Sequence, residues 1–345
     1  MLAQKRNSGF DFMKIFAIFF VIYTHVGYNC NTVFAPVSFT SPTYWISCIL
    51  GVFCRVAVPL FFMVSGALLL NKTETLKVIF TKRILRFAVV LVVISAVTYM
   101  LLWNKHSIPG FVTALYSFKT APSMWYLYSY IELLLLLPFL RKLAQAMTAK
   151  DYLYYFILQV VFVSLLPAFE TVTGFPPVNL TIVLTVKNVF YFMMGHFFVN
   201  VAKDTFYSKK NLLLINGAGI LCVLAACVYV TLFFTENGNI MDDETPLFTF
   251  IAIPTFAVFF DIKYIFDRIT VNKATTVLLK EIGTASFGVY LIQGLCINYT
   301  GFVSDFLSSH LPSVVSGLVY TLAIMLACTI VIIPIRKIPF INKFI

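Results

Sequence analysis

Charged residues are scarce in this chain of 345 residues: they form 11% of the sequence, whereas soluble domains carry about 25%. Glycine and proline are also few, with 15 and 14 residues, and no long linker or low-complexity stretch interrupts the chain. This composition excludes an ordinary cytosolic enzyme and a disordered protein. The seven cysteines are too few for a disulfide-rich secreted module.

Long apolar runs take the place of the missing charge. Hydrophobic residues form 60% of the chain, and they gather in runs of roughly 17–25 residues, the length that an α-helix needs to cross about 30 Å of hydrocarbon. Transmembrane β-strands would give shorter, alternating segments. The sequence therefore predicts an all-α, polytopic membrane helix bundle with about ten transmembrane helices. The runs lie at 10–27, 45–70, 87–103, 123–140, 152–169, 178–200, 211–235, 247–262, 284–302 and 314–335.

The basic residues predict the orientation of the bundle. Twenty of the 25 lysines and arginines lie at the termini or in the loops between alternate pairs of runs, whereas the opposite loops hold only Lys105 and Lys119. Basic loops face the cytoplasm, so both termini are predicted to be cytoplasmic. This asymmetry also explains the net charge of +11 without a nucleic-acid partner. The other three, Lys14, Arg55 and Lys187, lie inside apolar runs.

The chain is predicted to form a single integral-membrane domain, 1–345. Its longest outer loops, at about 28–43, 104–122 and 236–246, are too short to fold separately. The cysteines fall mostly inside the runs and lack the spacing of metal ligands. They are predicted to be buried thiols, and no metal site is expected. The oligomeric state is not predictable from these features.

Ionisable residues inside a membrane helix are costly, by roughly 2.5–3.5 kcal/mol at its centre, so each is a candidate for function. In the first run, Lys14 and His25 are eleven residues apart. Eleven steps of about 100° bring them to within about 20° of one face and roughly 16 Å apart along the helix. Asp11, three residues before Lys14, is placed to pair with it.

Two interpretations of Lys14 and His25 on one helix face remain open. Lys14 extends to the inner membrane interface with Asp11 as its partner, or it serves a ligand inside the bundle. His25 is harder to explain as a structural residue, because an imidazole exchanges protons near neutral pH and this one stands in line with a buried cation.

The segment that contains Lys14 and His25, together with four further segments, resembles a known family. A basic residue, ten residues and then histidine, preceded by an acidic residue, is similar to the first-helix motif of the membrane acyltransferase type 3 family. The similarity continues in family order over most of the chain. The segments that carry it are Asp11 to His25, Arg55 to Gly66, Lys82-Arg83-Ile84-Leu85-Arg86, Met124-Trp125-Tyr126-Leu127 through Pro138, and Ser286 to Ile292.

Two positions depart from the family pattern. Many members have arginine where this chain has Lys14, which keeps the charge but loses the bidentate fork. Many also have histidine where this chain has Gln293, an amide that only donates and accepts hydrogen bonds. In extent the chain resembles the stand-alone subgroup that includes the O-acetyltransferases of surface polysaccharides and of the enterobacterial common antigen.

The resemblance implies transfer of an acyl group, usually acetyl, from cytoplasmic acyl-CoA to a hydroxyl of a surface glycan or its lipid-linked precursor. The acyl-CoA (acetyl-CoA) would be a co-substrate, and no bound cofactor is expected. Its expected partners are acyl-CoA, the saccharide acceptor and membrane lipid, with no nucleic acid. The expected location is the bacterial inner membrane, as a multi-pass protein.

Roles can be assigned to the candidates within this function. His25 is predicted to be the general base, or else to carry the acyl group covalently. Lys14 and Arg55 are predicted to hold the donor or to stabilise the oxyanion. The set predicted to bind acyl-CoA is Lys14, Arg55, Lys82, Arg83 and Arg86. The set predicted to contact substrate is Glu132, Trp125, Lys187, Ser65 and Gln293.

Simpler roles compete for some of these residues. Glu132 is predicted to be the one deeply buried carboxylate, with Asp11 near the edge, and it would pair with Arg55 or Lys187 if these only stabilise the fold. Ser65 belongs to a small-residue pair with Gly66 that permits close helix packing.

Other features fit structural roles as well. Trp125 at the outer start of its helix is an interfacial anchor or a platform for a sugar ring. His196 lies nine residues and about 900° from Lys187, on the opposite face, and is predicted to be structural.

Other classes of function also fit ten helices with buried charges. An exporter of polysaccharide is the main alternative, although the chain lacks the internal repeats that mark many transporters. A structural subunit of a synthase complex is a third, but it leaves Lys14, Arg55 and His25 without a reason to be in the membrane.

Overall fold

The computed structural model describes residues 7–26, 41–101, 107–120, 122–176, 186–233 and 248–344. These residues form helices joined by short connections, and no strand occurs among them. The predicted all-α class is confirmed. Two of the three predicted outer loops, 28–43 and 236–246, lie mostly or wholly outside the described residues, as do Cys30, Lys105 and the 177–185 part of the sixth run. The third, 104–122, is mostly described and contains the helix Ile108–Tyr116.

Fifteen α-helices lie within the described ranges, and three π-helical segments, Ile79–Ile84, Val160–Leu165 and Phe197–Val201, continue some of them without a break. The α-helices are α1 (Ser8–His25), α2 (Pro42–Cys54), α3 (Ala57–Leu69), α4 (Leu76–Val78), α5 (Leu85–Leu101), α6 (Ile108–Tyr116), α7 (Trp125–Ala146), α8 (Ala149–Gln159), α9 (Leu166–Thr173), α10 (Lys187–His196), α11 (Lys209–Phe233), α12 (Phe248–Phe266), α13 (Lys273–Tyr299), α14 (Gly301–His310) and α15 (Ser313–Ile335).

Each of the ten predicted apolar runs coincides, in its described part, with a helical segment. Seven segments in the described residues are long and apolar enough to cross a membrane: Ser8–His25, Pro42–Leu69, Leu76–Leu101, Ala149–Glu170, Lys209–Leu232, Phe248–Phe266 and Ser313–Ile335. The other three runs correspond to α7, to α10 with its π-helical continuation, and to α13. The protein is therefore a polytopic helical membrane bundle, as predicted.

The second run, predicted as one helix over 45–70, is interrupted. The α-helical pattern stops at Cys54 and resumes at Ala57, with Arg55 in the turn between α2 and α3. Pro59 explains the interruption, because it has no N–H to donate to the carbonyl of Arg55, four residues earlier. Arg55 therefore lies at a helix junction and not within a helix.

Helix α1 occupies the centre of the bundle, where it packs against α3, α12, α13 and α15. Asn7 caps it, since its side-chain oxygen accepts a hydrogen bond from the N–H of Gly9 at 2.8 Å. Gly283 lets α13 approach closely: a Cβ at this position would lie 2.8 Å from both Cβ and the carbonyl oxygen of Asp11. The α1–α13 contact therefore depends on the absence of a side chain at Gly283.

Helices α3 and α10 cross at two glycines. A Cβ on Gly66 would collide with the carbonyl of Phe192, and a Cβ on Gly195 would collide with the carbonyl of Met63. The predicted packing role of the Ser65-Gly66 pair is confirmed for Gly66. Ser65 itself lines a cavity at the centre of the bundle.

The loops predicted to be cytoplasmic meet at one end of the bundle. Glu74 pairs with Arg83 and Arg141 there, and the C-terminal tail reaches Arg86. We call this end, formed by 70–86, 141–150, 203–210, 263–280 and 336–344, the basic end. Its assembly from all of these loops agrees with the charge asymmetry of the sequence.

The cysteines are free thiols in the described part of the chain. Cys48, Cys54, Cys227 and Cys328 are buried, which confirms their predicted role in the core. Within the same residues, no group of three or more histidine, cysteine, aspartate and glutamate side chains is arranged to hold a metal ion.

Candidate active site

An inner cavity of about 200 Å³ runs through the centre of the bundle, between α1, α3, α5, α7 and α13. Five of the residues predicted from sequence line it together: Lys14, His25, Ser65, Arg86 and Trp125. They come from four different helices, separated by up to 111 positions along the chain. The tertiary structure thus brings the scattered motifs to one cavity.

Helix α1 contributes the two ends of the inner cavity. Lys14 and His25 both line it, as their helical spacing predicts, and Val21 lies on the cavity wall between them. Lys14 lies toward the basic end, where Arg86 and Thr284 also line the cavity. His25, at the last position of α1, lies toward the opposite end.

The predicted ion pair between Lys14 and Asp11 is present, with 3.6 Å between Nζ and Oδ1. Asp11 is only 3% exposed, because α13 packs directly over it at Gly283. The expectation that Asp11 lies near the edge is therefore wrong. The partly accessible ammonium of Lys14 is held beside the buried carboxylate of Asp11. One cation therefore stays at the basic end of the inner cavity.

Arg86 provides the second cation of the inner cavity. Its Nε donates a hydrogen bond to the carbonyl oxygen of Phe344 at 2.9 Å, and its guanidinium lies 5.8 Å and 5.9 Å from the ring centroids of Phe87 and Phe287. These contacts hold the guanidinium in place at the basic end.

An outer cavity of about 250 Å³ lies on the other side of His25, away from the basic end. Its polar lining consists of His25, Thr98, Ser123, Gln293 and Asn298, and its other lining residues are apolar or glycine. His25 and Ser123 line both cavities. The imidazole ring therefore stands where the two cavities meet.

Gln293 is fully buried beside this ring. Its Nε2 lies 3.3 Å from Nδ1 of His25, although the two residues are 268 positions apart. The sequence predicted Gln293 as a substrate contact; the structure places it both in the lining of the outer cavity and in contact with His25.

The inner cavity thus carries a lysine, an arginine and a histidine on its wall. The family model of the type 3 acyltransferases, described as an acyltransferase domain, matches residues 7–335. The chain belongs to the acyltransferase type 3 family. It is therefore an enzyme of the acyltransferase class, in a membrane-helix bundle. Searches of curated proteins and of solved structures gave no match.

In this type 3 acyltransferase, the basic segment 82–86 is divided. Arg86 faces the inner cavity, Lys82 is exposed outside it, and Arg83 binds Glu74, with its Nε 2.8 Å from Oε2. Arg141 donates to the same carboxylate at 2.8 Å. The donor-binding set predicted from sequence is thus not one cluster, because Glu74 from the preceding loop engages Arg83.

The paired arginines also act on Glu74. Hydrogen bonds from the Arg83 guanidinium, with a second contribution from Arg141, hold the pKa of Glu74 at about 2, below its ordinary value of 4.5. Glu74 therefore stays ionised at neutral pH and cross-links the loop after α3 to α7 and to the π-helical segment Ile79–Ile84.

Besides Lys82 and Arg83, three more of the predicted site residues lie outside both cavities of the type 3 acyltransferase. Glu132 is exposed, so the prediction of a deeply buried carboxylate is wrong. It shares the outward face of α7 with Leu136 and Phe139, and an apolar run gives no indication of which face turns inward. Lys187 is half-buried at the first position of α10 and not in mid-helix.

Arg55 is the third. It is half-buried at the α2–α3 junction and lies within electrostatic range of the His25 ring, without lining either cavity. Its predicted roles, holding the donor or stabilising the oxyanion, stay predictions.

Three tyrosines in the lining were not predicted. Tyr126, Tyr130 and Tyr290 narrow the middle of the inner cavity, with ring centroids 5.8 Å apart for Tyr126 and Tyr130 and 5.4 Å apart for Tyr126 and Tyr290. The hydroxyl of Tyr290 donates to the carbonyl of Ser123. A signal existed, because Tyr126 and Tyr290 lie inside two of the segments that carry the family resemblance.

Proposed function

We propose that this type 3 acyltransferase moves an acyl group, most simply acetyl, from cytoplasmic acyl-CoA to a hydroxyl of a surface glycan or of its lipid-linked precursor. The observation that carries the proposal is the position of His25, which lines both the inner and the outer cavity. A donor from one side of the membrane and an acceptor from the other would meet at this ring.

The inner cavity suits the donor. Lys14 and Arg86 place two cations at the basic end, which faces the cytoplasm by the positive-inside rule. Cations there would attract the phosphates of CoA, and Lys82 lies close by along the chain. The volume of about 200 Å³ is below the roughly 300–1,000 Å³ of sites that enclose a whole ligand. The cavity therefore suits the narrow acyl-bearing arm of CoA, with its nucleotide at the mouth.

Lys14 acts on the donor and not on the reacting atoms. Eleven residues of helix separate it from His25, which is roughly 16 Å along the axis, far beyond hydrogen-bond reach of a group bonded to the imidazole. Of the two predicted roles of Lys14, holding the donor is therefore the one that the geometry supports.

The outer cavity suits the acceptor. Thr98, Ser123, Gln293 and Asn298 offer hydroxyl and amide groups of the kind that bind saccharide hydroxyls. Trp125 lines the adjoining inner cavity and is 46% exposed, so its ring is accessible to a sugar face.

The chemical step needs one base. The acceptor oxygen attacks the thioester carbonyl while Nε2 of His25 removes the hydroxyl proton. The new C–O bond forms, the C–S bond breaks, and the imidazolium returns the proton to the leaving thiolate, which gives free CoA thiol and restores neutral His25. No other reactant is required.

A direct assay tests this function. The purified protein in lipid nanodiscs is given labelled acetyl-CoA with and without a glycan fraction from the host, and release of CoA thiol is followed. We expect release that depends on the glycan and label that appears on it. Thioester that stays intact under both conditions would contradict acyl transfer to glycan.

Variants of two histidines sharpen the assay. His25→Ala should abolish acylation of the glycan, as measured by mass spectrometry of surface glycans, whereas His310→Ala should not, because His310 lies in α14 outside both cavities. Acyl label on His25 after quenching without acceptor would favour the covalent route over direct transfer.

A further inference from the structure

The amide of Gln293 contacts His25 through one end only. In the structure Nε2 lies 3.3 Å from Nδ1 of His25, and Oε1 has no hydrogen-bond partner among the described residues. The side chain is fully buried and lines the outer cavity. Such an amide needs a second partner, and a ligand in the outer cavity can supply it.

The groups that meet the ring nitrogens decide which nitrogen of His25 is basic. Besides the amide of Gln293, the ring makes a hydrogen bond with the backbone of Val21. A neutral imidazole has one N–H and one lone pair, and the hydrogen bond at one nitrogen selects the proton position at the other. If the carbonyl oxygen Oε1 accepts from Nδ1–H, the lone pair is on Nε2. If the NH₂ donates to Nδ1, the proton is on Nε2 and that nitrogen is not a base.

We propose that Gln293 is a positioning residue that holds His25 in the Nδ1–H tautomer, with the amide oxygen toward the ring and the NH₂ toward an acceptor hydroxyl in the outer cavity. The proposal rests on the proposed function in one respect, namely that His25 is the base. The proposal turns the amide by a half-turn from its orientation in the structure, where Nε2 faces the ring. The NH₂ and carbonyl ends have the same shape, so the geometry of the contact is satisfied in either orientation.

The packing of α13 on α1 supports this role. Gln293 lies seven residues after Ser286, or about 700°, and therefore on nearly the same face of α13. Ser286 lines the inner cavity and Gln293 the outer one. The close approach at Gly283 fixes α13 against α1, so the amide is carried on a rigid element and not on a loop.

The histidine at the basic end offers an internal reference. Nε2 of His196 lies 2.8 Å from Oδ1 of Asn71, and Nδ1 lies 2.9 Å from the hydroxyl of Tyr152. With the NH₂ of Asn71 directed to Asn200, its Oδ1 faces the ring, and we expect His196 to carry its proton on Nε2. His25 and His196 are thus expected to be opposite tautomers in one protein.

Nitrogen NMR of ¹⁵N-histidine-labelled protein in lipid nanodiscs tests the proposal without any substrate. At about pH 8.5, roughly two units above the ordinary histidine pKa, the ring is neutral. The His25 signals are assigned by their loss in His25→Gln. We expect Nδ1–H for His25 and Nε2–H for His196 in the wild type. A proton on Nε2 of His25 would overturn the proposal.

The Gln293→Met variant tests whether Gln293 is the cause of the His25 tautomer. It keeps the length of the side chain but removes both amide groups, and we expect His25 to become a mixture of tautomers. Gln159→Met is the matched control, since Gln159 is equally buried in α8 and lies outside both cavities. An unchanged His25 tautomer in Gln293→Met would overturn the proposal, and a change in Gln159→Met would show that the effect is not specific.

Kinetics separate positioning from a merely structural role. Loss of the partner that orients a metal-ligating histidine lowers activity by about 10–100-fold. We expect a loss of the same order here, so Gln293→Met should lower kcat by this factor and leave the KM for acetyl-CoA unchanged. Gln293→Glu should recover part of the activity lost in Gln293→Met, because a carboxylate also accepts from Nδ1–H but lacks the NH₂ that faces the acceptor. If no acceptor is acylated even by the wild type, the proposed function fails, while the NMR result still decides the tautomer.

Discussion

The surroundings of His25 and His196 differ in a way that separates a reactive histidine from a structural one. Both nitrogens of His196 are engaged within the protein, and the side chain is 3% exposed. The His25 ring contacts Gln293 through Nδ1 and also meets the backbone of Val21, and the residue lines two cavities. A nitrogen available to a cavity, and not burial as such, is what makes a membrane histidine a candidate base.

The largest expected effect is the difference in activity between variants of His25 and of His196. His25→Gln should lower acyl transfer by about 10²–10⁴-fold, the usual contribution of a general base, with little change in thermal stability. His196→Gln should do the reverse, because it disturbs buried hydrogen bonds that contribute about 1–3 kcal/mol to stability when a partner is lost. Activity per folded molecule and the midpoint of thermal unfolding are the two measurements. Equal activity loss in both variants would contradict the distinction.

The second prediction concerns the helix crossings beside the two histidines. Gly195→Ala should destabilise the crossing of α3 and α10 next to His196, and Gly283→Ala the crossing of α1 and α13 in the His25 region, each by about 1–3 kcal/mol through overpacking. The effect of Gly195→Ala should be larger, because its Cβ would approach a backbone carbonyl more closely.

Gly217→Ala is the control for both glycines, since a Cβ there meets nothing within 4 Å. Thermal unfolding in one detergent or lipid is the measurement. Destabilisation by Gly217→Ala of the same size would show that helix glycines matter here for reasons other than close packing.

The third prediction compares the two ends of the inner cavity: the basic end is expected to affect donor binding, and the His25 end the chemical step. Arg86→Gln should raise the KM for acetyl-CoA about tenfold, equivalent to about 1.4 kcal/mol, and leave kcat nearly unchanged, because Arg86 lies at the basic end, far from His25. Lys82→Gln should have a smaller effect, since Lys82 is exposed and outside the cavity. A fall in kcat without a change in KM for Arg86→Gln would contradict a role in holding the donor.

The smallest expected effect concerns the loop that connects the His196 contacts to the basic segment. Glu74 lies three residues after Asn71, and its pKa is about 2 in the folded protein against an ordinary 4.5. A depressed carboxyl pKa stabilises the folded state above about pH 4.5, and this contribution is lost as the pH falls from 4.5 toward 2.

Because Glu74 is partly accessible, the contribution is expected to be about 1 kcal/mol after solvent screening. Glu74→Gln should lower stability at neutral pH by this amount and flatten the fall between pH 4.5 and 2, as measured by unfolding midpoints. Asp305→Asn is a control, because Asp305 lies in α14, far along the chain from the arginine pair. A wild-type profile in Glu74→Gln would show that the ion pairs contribute nothing measurable.

Much of the His25 region was accessible to reasoning within single helices. The shared face of Lys14 and His25, the ion pair of Lys14 with Asp11 and the packing role of Gly66 all follow from residues close together in sequence. The interruption at Arg55 was not predicted, although proline, here Pro59, is a residue type that kinks or ends helices. Local spacing predicts these features because the helix itself sets the geometry.

The features that were missed depend on contacts between distant segments. Glu132 was predicted to be buried and is exposed, whereas Asp11 was predicted to lie near the edge and is buried. The packing of the bundle, and not the apolar run itself, decides which face of a helix turns inward. Arg83 is engaged by Glu74, and the fully buried Gln293 contacts His25 across 268 positions. An apolar run carries little polar contrast around its circumference, so it does not indicate its partners.

By itself, the sequence determined that this protein is a helical membrane bundle with its basic loops on one side and a lysine and a histidine in line on its first helix. Hydrophobic length, loop charge and helical periodicity are local properties, and they need no knowledge of neighbours. Only the tertiary structure decided that His25 lies between two cavities and beside an amide of α13. A cavity is the space left between packed helices, and packing of distant residues creates it.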